Sequence, residues 1–245
     1  MRKICFLLVI FLLSTVSVAA ETVDHVVISE IQIAGGSEND EWIEIYNPTN
    51  LPINLAPEFE GDEGFRVERW TDSGGKSILV RFGNESDATF PGGTTIPAHG
   101  FYLIMEDDAD ENLLLMADTL VKSFELKDNY AVAIGTDSMS DGVDDENVVD
   151  FVGFDQNTFF EGLAAALNPA AGGSIERKSG ETHDDSRGNG WDTDDNFADF
   201  FSQSSPNPQN SESDVEDPNP PVDENSPPEI PTELSPNGST NSKIF

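Results

Sequence analysis

The chain has 245 residues, 47 of them acidic and 12 basic, for a formal net charge of −35. That length holds one large domain or two small ones, and the charge excludes a nucleic-acid binder held by phosphate contacts, which needs Lys and Arg to displace counterions. One cysteine in the whole chain excludes an intrachain disulfide and a zinc centre built on cysteines.

Residues 1–20 read as a secretory signal peptide. Arg2 and Lys3 form a short positive region, Ile4 to Val18 is mostly apolar, and Val18-Ala19-Ala20 places small residues where a signal peptidase reads them. The apolar run falls short of the roughly 20 residues a membrane span needs, which puts cleavage after Ala20 ahead of an uncleaved anchor. Cys5 stands near the start of this segment and not at the cleavage site, so a lipoprotein pattern is absent. No second apolar run follows, so no transmembrane segment is expected after cleavage, and the protein is expected to be secreted or held at the cell surface.

From His25 onward, short apolar runs rich in Val, Ile, Phe and Tyr recur between Gly, Pro, Asn and Asp residues, the pattern of β-strands. In chain order they are His25–Ile33, Trp42–Tyr46, Phe65–Thr71, Ser77–Phe82, Gly100–Met105, Tyr130–Gly135 and Val148–Phe154, with Ser174–Lys178 as a shorter candidate. Alternation in the first run puts Val27, Ile31 and Ile33 on one face; in the second, Ile43 and Ile45 oppose Trp42, Glu44 and Tyr46. Leu103, Val132, Ile134 and Phe151 complete the expected core. Gly162–Leu167 reads as either a short helix or a loop. Seven or eight such strands without helical periodicity predict an all-β sandwich with long acidic loops.

Past Ser205 the composition changes. Nine of the 15 prolines and only eight of the 47 acids lie in Ser205–Phe245. Such a stretch buries too little apolar surface to offset its ordering entropy. The expected domains are therefore a sandwich over residues 21–210 and a Pro-rich acidic linker over 211–245. Asn225–Pro231 and Leu234–Ser239 look like the opening of a further repeat, so the linker is expected to lead into another domain.

Several ordered blocks resemble the lamin tail domain family. Val27-Ile28-Ser29-Glu30-Ile31 is followed by Asn39-Asp40-Glu41-Trp42-Ile43-Glu44-Ile45-Tyr46-Asn47-Pro48-Thr49-Asn50 and by Pro52-Ile53-Asn54-Leu55. Ile96–Ile104, Val148–Phe154, Phe160-Glu161-Gly162, Ser174–Lys178, Asp192–Phe200 and Ser205–Asn210 continue the likeness, in the manner of secreted bacterial members. Ala56-Pro57-Glu58-Phe59 departs from the usual Gly-Trp, and Thr136–Glu146 is a long Asp-rich insertion. The resemblance implies an immunoglobulin-like β-sandwich without catalytic activity, serving as a binding or spacer module. Its partner is then an unidentified extracellular protein or polysaccharide surface. The alternative is an accessory domain of a secreted hydrolase or nuclease whose catalytic part lies beyond this chain.

The residues themselves offer little catalytic chemistry. Glu30, Glu41 and Glu44 are acids on early strands, and two facing carboxylates are the minimum for glycoside hydrolysis; solvated or turn-fixing roles are the commoner use. His25, His99 and His183 stand far apart, without metal-ligand spacing. No cofactor is expected, with calcium as the one candidate. Asp137, Asp141 and Asp144 fall in a loop of calcium-binding character, although Met139 stands where an oxygen ligand belongs and no Glu closes the loop. Asp192, Asp194, Asp195 and Asn196 form a second oxygen-rich cluster. Both also fit Asx turns, in which these side chains bond their own backbone.

Overall fold

The computed structural model describes residues 23–56, 64–83, 94–169 and 171–219. The signal peptide, the Pro57–Phe59 departure and the Pro-rich stretch from residue 220 lie outside them. The described residues form twelve strands: β1 (Val27–Gln32), β2 (Trp42–Tyr46), β3 (Ile53–Asn54), β4 (Arg66–Thr71), β5 (Lys76–Arg81), β6 (Thr95–Ile96), β7 (Phe101–Glu106), β8 (Thr119–Val121), β9 (Tyr130–Gly135), β10 (Val148–Gly153), β11 (Ser174–Arg177) and β12 (Phe200–Gln203). Two single-turn helices, α1 (Glu111–Leu114) and α2 (Asn196–Asp199), sit between them. Gly162–Leu167 is a loop, with Ala166 bridging to Phe154. Among the described residues no helix is long and apolar enough to cross a membrane.

The strands form a six-stranded sheet in the order β12-β11-β1-β2-β7-β8 and a four-stranded sheet in the order β10-β9-β4-β5, with β3 and β6 as a separate ribbon. Pairing is antiparallel except between β7 and β8. The two large sheets face each other across one core, as expected of an immunoglobulin-like β-sandwich. Ile28, Ile31, Ile43, Ile45, Ile104 and Ile175 of the larger sheet meet Val67, Val80, Val132, Ile134 and Val152 of the smaller one, all nearly or fully buried.

Three expected core residues are buried elsewhere. A register shift between Ile28 and Glu30 interrupts the alternation of β1. Such a bulge moves the residues before it to the other face. Ile28, opposite Ile45, therefore joins the central core, and Val27 packs outside with Tyr46 and Phe101. Leu103 also faces outward, with Trp42 and Met105 beneath the α1 segment. Phe151 lies on the outer face of the smaller sheet, against Trp70 and Met139. Both sheets thus bury two faces, which is why β2 and β7 are buried along their whole length.

The chain also stays attached to the sandwich beyond Asn210, where the linker was expected to begin. Gln209 N–H donates to Glu44 Oε2 (2.6 Å), Ser211 N–H to Asp118 Oδ2 (2.9 Å) and Glu216 N–H to His99 O (2.9 Å). The Tyr46 hydroxyl donates to Glu216 O, and Arg187 Nε to Pro218 O at 2.7 Å. Gly188 makes this approach possible: a Cβ there would lie 2.0 Å from the Tyr46 hydroxyl and 2.4 Å from Glu216 O. Composition predicts a solvated chain, but these backbone groups find partners on the sheet, so the strap belongs to the domain through Asn219.

Two outcomes test this architecture. Ile45→Asp buries an unpaired charge opposite Ile28 and Tyr102, a cost of roughly several kcal/mol, and should abolish the cooperative melt. Leu163→Asp, at a side chain 90% exposed, should leave it unchanged. Ending the chain after Ser205 should lower Tm by roughly 5–10 °C, the shift for a loss of about 2–3 kcal/mol in a domain of this size. A chain ending after Asn219 should melt like the full protein.

Candidate functional site

The Asp137–Asp144 loop is held by its own backbone and by an apolar plug. Asp137 pairs with buried Arg66 at 3.0 Å. Asp141 and Asp144 lie on a single 3-10 turn, and the neighbouring Asp145 organises it. Its carboxylate accepts N–H bonds from Ser140 (2.6 Å), Asn147 (3.0 Å) and Asp141 (3.1 Å), which hold it well below the ordinary carboxylate range. Met139 is fully buried with Trp70 and Phe151. The residue that breaks the ligand pattern is thus a packing residue.

The second cluster is divided among separate tasks. Asp194 is exposed, in a left-handed conformation (φ 53°). Asp195 caps α2 by accepting from Ala198 N–H at 3.2 Å. Asn196 is fully buried: its Oδ1 accepts from Gly153 N–H (2.8 Å) and Glu161 N–H (3.1 Å), and its Nδ2 donates to Phe151 O (2.8 Å) and Glu161 Oε2 (3.1 Å). Asp192 turns instead toward Asp150 and Glu161, whose carboxylate oxygens lie within 4.8 Å of one another and of its own.

A guanidinium neutralises that group. Fully buried Arg177 donates from Nη2 to both oxygens of Asp150 (2.8 Å each), from Nη1 to Asp192 Oδ1 (2.9 Å) and from Nε to Ile28 O (3.0 Å). It lies 4.6 Å from the Phe200 ring centroid. Burial pulls Arg177 down, but the charges of Asp150, Asp192 and Asp199 outweigh it, and the group is held above its ordinary range. Burial raises Asp150 to about 6 against the pull of Arg177, so it remains ionised at neutral pH. Burial, aided by the charges of Asp150 and Asp192, pushes Glu161 up to about 9, where it keeps its proton. A metal here would have to displace the arginine; the arrangement is a structural ion cluster.

A different set of acids borders open space. Glu44, Glu30 and Glu176 stand side by side across β2, β1 and β11 on the outward face of the larger sheet. Glu44 accepts from Ser29 Oγ (2.6 Å) and Glu30 from Ser174 Oγ; Glu176 accepts from Asn189 Nδ2 (2.7 Å) and Gln203 Nε2 (3.1 Å). Glu30 and Glu176, with Glu216 from the strap, line a cleft of about 220 Å³ whose remaining wall is mostly side-chain amides. Like charges directly opposite in a sheet repel, and the ladder answers by holding protons. Burial pushes Glu30 up to about 8, with a further push from Glu176. Burial and the charge of Glu30 carry Glu44 well above its ordinary value.

Of the three acids singled out from sequence, Glu30 and Glu44 therefore meet. Glu41 lies apart, accepting from Leu126 N–H at 2.9 Å. Glu176, Arg177 and Asp150 were not singled out. Their only sequence signal is membership of the strand blocks, and strand register is what brings them to their partners.

The acid ladder sets a pH dependence. Folded Glu30 and Glu44 keep protons at pH values where unfolded glutamates, titrating near 4.5, have lost theirs. Stability from these groups is therefore full near pH 4.5 and falls as pH rises toward 8. Asp192 runs the other way: burial raises it, but Arg177 holds it well below its ordinary 3.8, so its contribution is lost as pH falls below that value. Tm should rise on acidification from pH 8 to 5.5 and fall again below about pH 4. Glu30→Gln/Glu44→Gln should flatten the upper limb; an unchanged slope in that variant would exclude these two groups as its source.

In comparisons with known proteins, the family model described as Lamin Tail Domain matches residues 19–179. The blocks at Asp192–Phe200 and Ser205–Asn210 lie past that match. No curated protein and no solved structure gives a significant match to the chain.

Proposed function

Since the chain belongs to the lamin tail domain family, we propose that it works as a non-catalytic binding or spacer module of a secreted or cell-surface protein of bacterial type. The observation that carries this reading is the disposition of its paired acids. Glu30 and Glu44 are 3% and 1% exposed, capped by serines and covered by the strap at Gln209. A glycosidase pair needs both carboxylates open to the sugar, and here Glu44 is sealed.

The binding side of the reading is supported at the loop that follows β10. The loop carrying Leu163 and Leu167 adjoins α2 through the bonds from Phe197 N–H to Ala164 O and from Asn196 N–H to Glu161 O, both 3.1 Å. Leu163, Leu167 and Phe197 expose 90%, 50% and 56% of their surface. Clustered exposed apolar side chains of this kind mark interaction surfaces, and a strongly acidic surround keeps such a module soluble.

The test has two parts. Expressed from its own start codon, the chain should be recovered outside the cell with Glu21 as its first residue; an intracellular product with an intact leader would overturn the secretion reading. Purified protein should then be retained on a panel of insoluble polysaccharides or a cell-surface protein fraction, without release of soluble product. Leu163→Ser/Phe197→Ser should reduce that retention about tenfold, equivalent to about 1.4 kcal/mol, at unchanged Tm. Release of product, or equal retention by the variant, would count against the proposal.

A further inference from the structure

At the end of β7, the chain runs Glu106-Asp107-Asp108 into a turn, with Asp107 N–H donating to Val121 O (3.1 Å) and Ala109 N–H to Glu106 O (3.4 Å). One carboxylate oxygen from each of these three residues lies within 4.8 Å of the others. Acidic runs are common on a protein this negative, and proximity alone would mean little.

The second observation is Glu106 itself. Its side chain is only 7% exposed, and its Oε2 is buried without a hydrogen-bond partner. The carboxylate is approached by backbone N–H groups of Phe124 and Ser123, which leaves that one oxygen unanswered. An unsatisfied buried acceptor carries a desolvation cost that native structures seldom leave standing. Among the described residues no ion pair reaches Glu106. Its other neighbour is a further acid: Glu41, 5% exposed, whose burial pushes it up to about 8 with a contribution from the Glu106 charge.

Glu41 and Glu106 share the wall of a cavity of about 580 Å³. The two cations that line it are turned elsewhere: Lys127 pairs with Glu125 at 2.8 Å and Arg69 with the same Glu125 at 3.3 Å, both against the Tyr130 ring. Among the described residues no ion pair joins either cation to Glu41 or Glu106, and Arg69 acts on Glu41 only through its charge.

We propose that Glu106, Asp107 and Asp108 bind a calcium ion at the end of β7. The donors are all carboxylate oxygens, with no nitrogen or sulfur among them, which selects a hard cation. Asp108 is exposed and Asp107 half-buried, so waters can complete the six to eight oxygens calcium takes; magnesium, which demands a closer octahedron, fits this irregular set less well. An ion held there neutralises the buried Glu106 carboxylate and relieves the mutual repulsion of the three acids. This site is distinct from both clusters that the sequence pointed to, and it does not depend on whether the chain is secreted or what it binds.

The full protein, stripped with a chelator, is titrated with CaCl₂ by calorimetry and by thermal melting, against NaCl at matched ionic strength. Calcium should bind saturably and raise Tm beyond NaCl, because a ligand of the folded state alone stabilises it. Asp107→Asn/Asp108→Asn changes one half-buried and one exposed side chain, and should weaken binding at least tenfold while the stripped protein melts normally. Asp194→Asn/Asp195→Asn and Asp137→Asn/Asp141→Asn should bind like the wild type. MgCl₂ at the same concentrations should produce a smaller shift. A calcium effect equal to that of NaCl, one that survives Asp107→Asn/Asp108→Asn, or one lost instead in either of the other pairs, would overturn the site.

Discussion

The two sheets are held in register by one buried pair. Asp150, on β10 of the smaller sheet, accepts the backbone N–H of Ile28 on β1 of the larger at 2.6 Å and both Nη2 bonds of Arg177 on β11. Arg177 then bonds Ile28 O and Asp192. Ile28 is thus gripped at both its N–H and its carbonyl, beside the bulge that decides which face of β1 enters the core. An apolar interface alone permits slippage between sheets; a buried guanidinium whose three nitrogens each bond a different partner admits one placement. Such a pair gains little net stability over an apolar substitute. Its contribution here is to fix where β1, β10, β11 and the Asp192 loop stand relative to one another.

Most of the strand pattern was legible in the sequence because it rests on local alternation. β2 and β9 have the expected limits, and β1, β4, β5, β7, β10 and β11 differ only at their ends. The strands that were missed have weak local signals. β8 is three residues long between Asp118 and Lys122, and β12 follows a helical turn inside the acidic Asp192–Asp199 stretch. Facing was less legible than burial. Nothing in Val27-Ile28-Ser29-Glu30-Ile31 announces a bulge, so alternation assigned Val27 to the core where Ile28 belongs. The strap was hidden for a similar reason: proline-rich, polar residues look solvated until a sheet offers partners for their backbone.

The acids divide the same way. Sequence shows that 47 of them exist and where they cluster along the chain, but clustering along the chain is a poor guide to clustering in space. Asp192, Asp195 and Asn196 are neighbours in sequence and serve three separate purposes. Glu44, Glu30 and Glu176 come from three distant segments and form a continuous ladder. Glu106, Asp107 and Asp108 are adjacent in both senses, and they drew no notice in the sequence because a turn-forming acidic triplet is ordinary by composition.

The strap has a mechanical consequence. Arg187 holds the strap at Pro218, one residue before Asn219, so tension applied at Asn219 reaches the strap before any strand. The contacts lie in series: Pro218 with Arg187, Asp217 with Gly188, Glu216 with Tyr46 and His99, then Ser211 with Asp118. Contacts loaded one after another yield singly at low force, whereas strands sheared along their length resist together. The strap therefore acts as a tether that lengthens under load, peeling away from Asn219 backward while the two sheets stay paired.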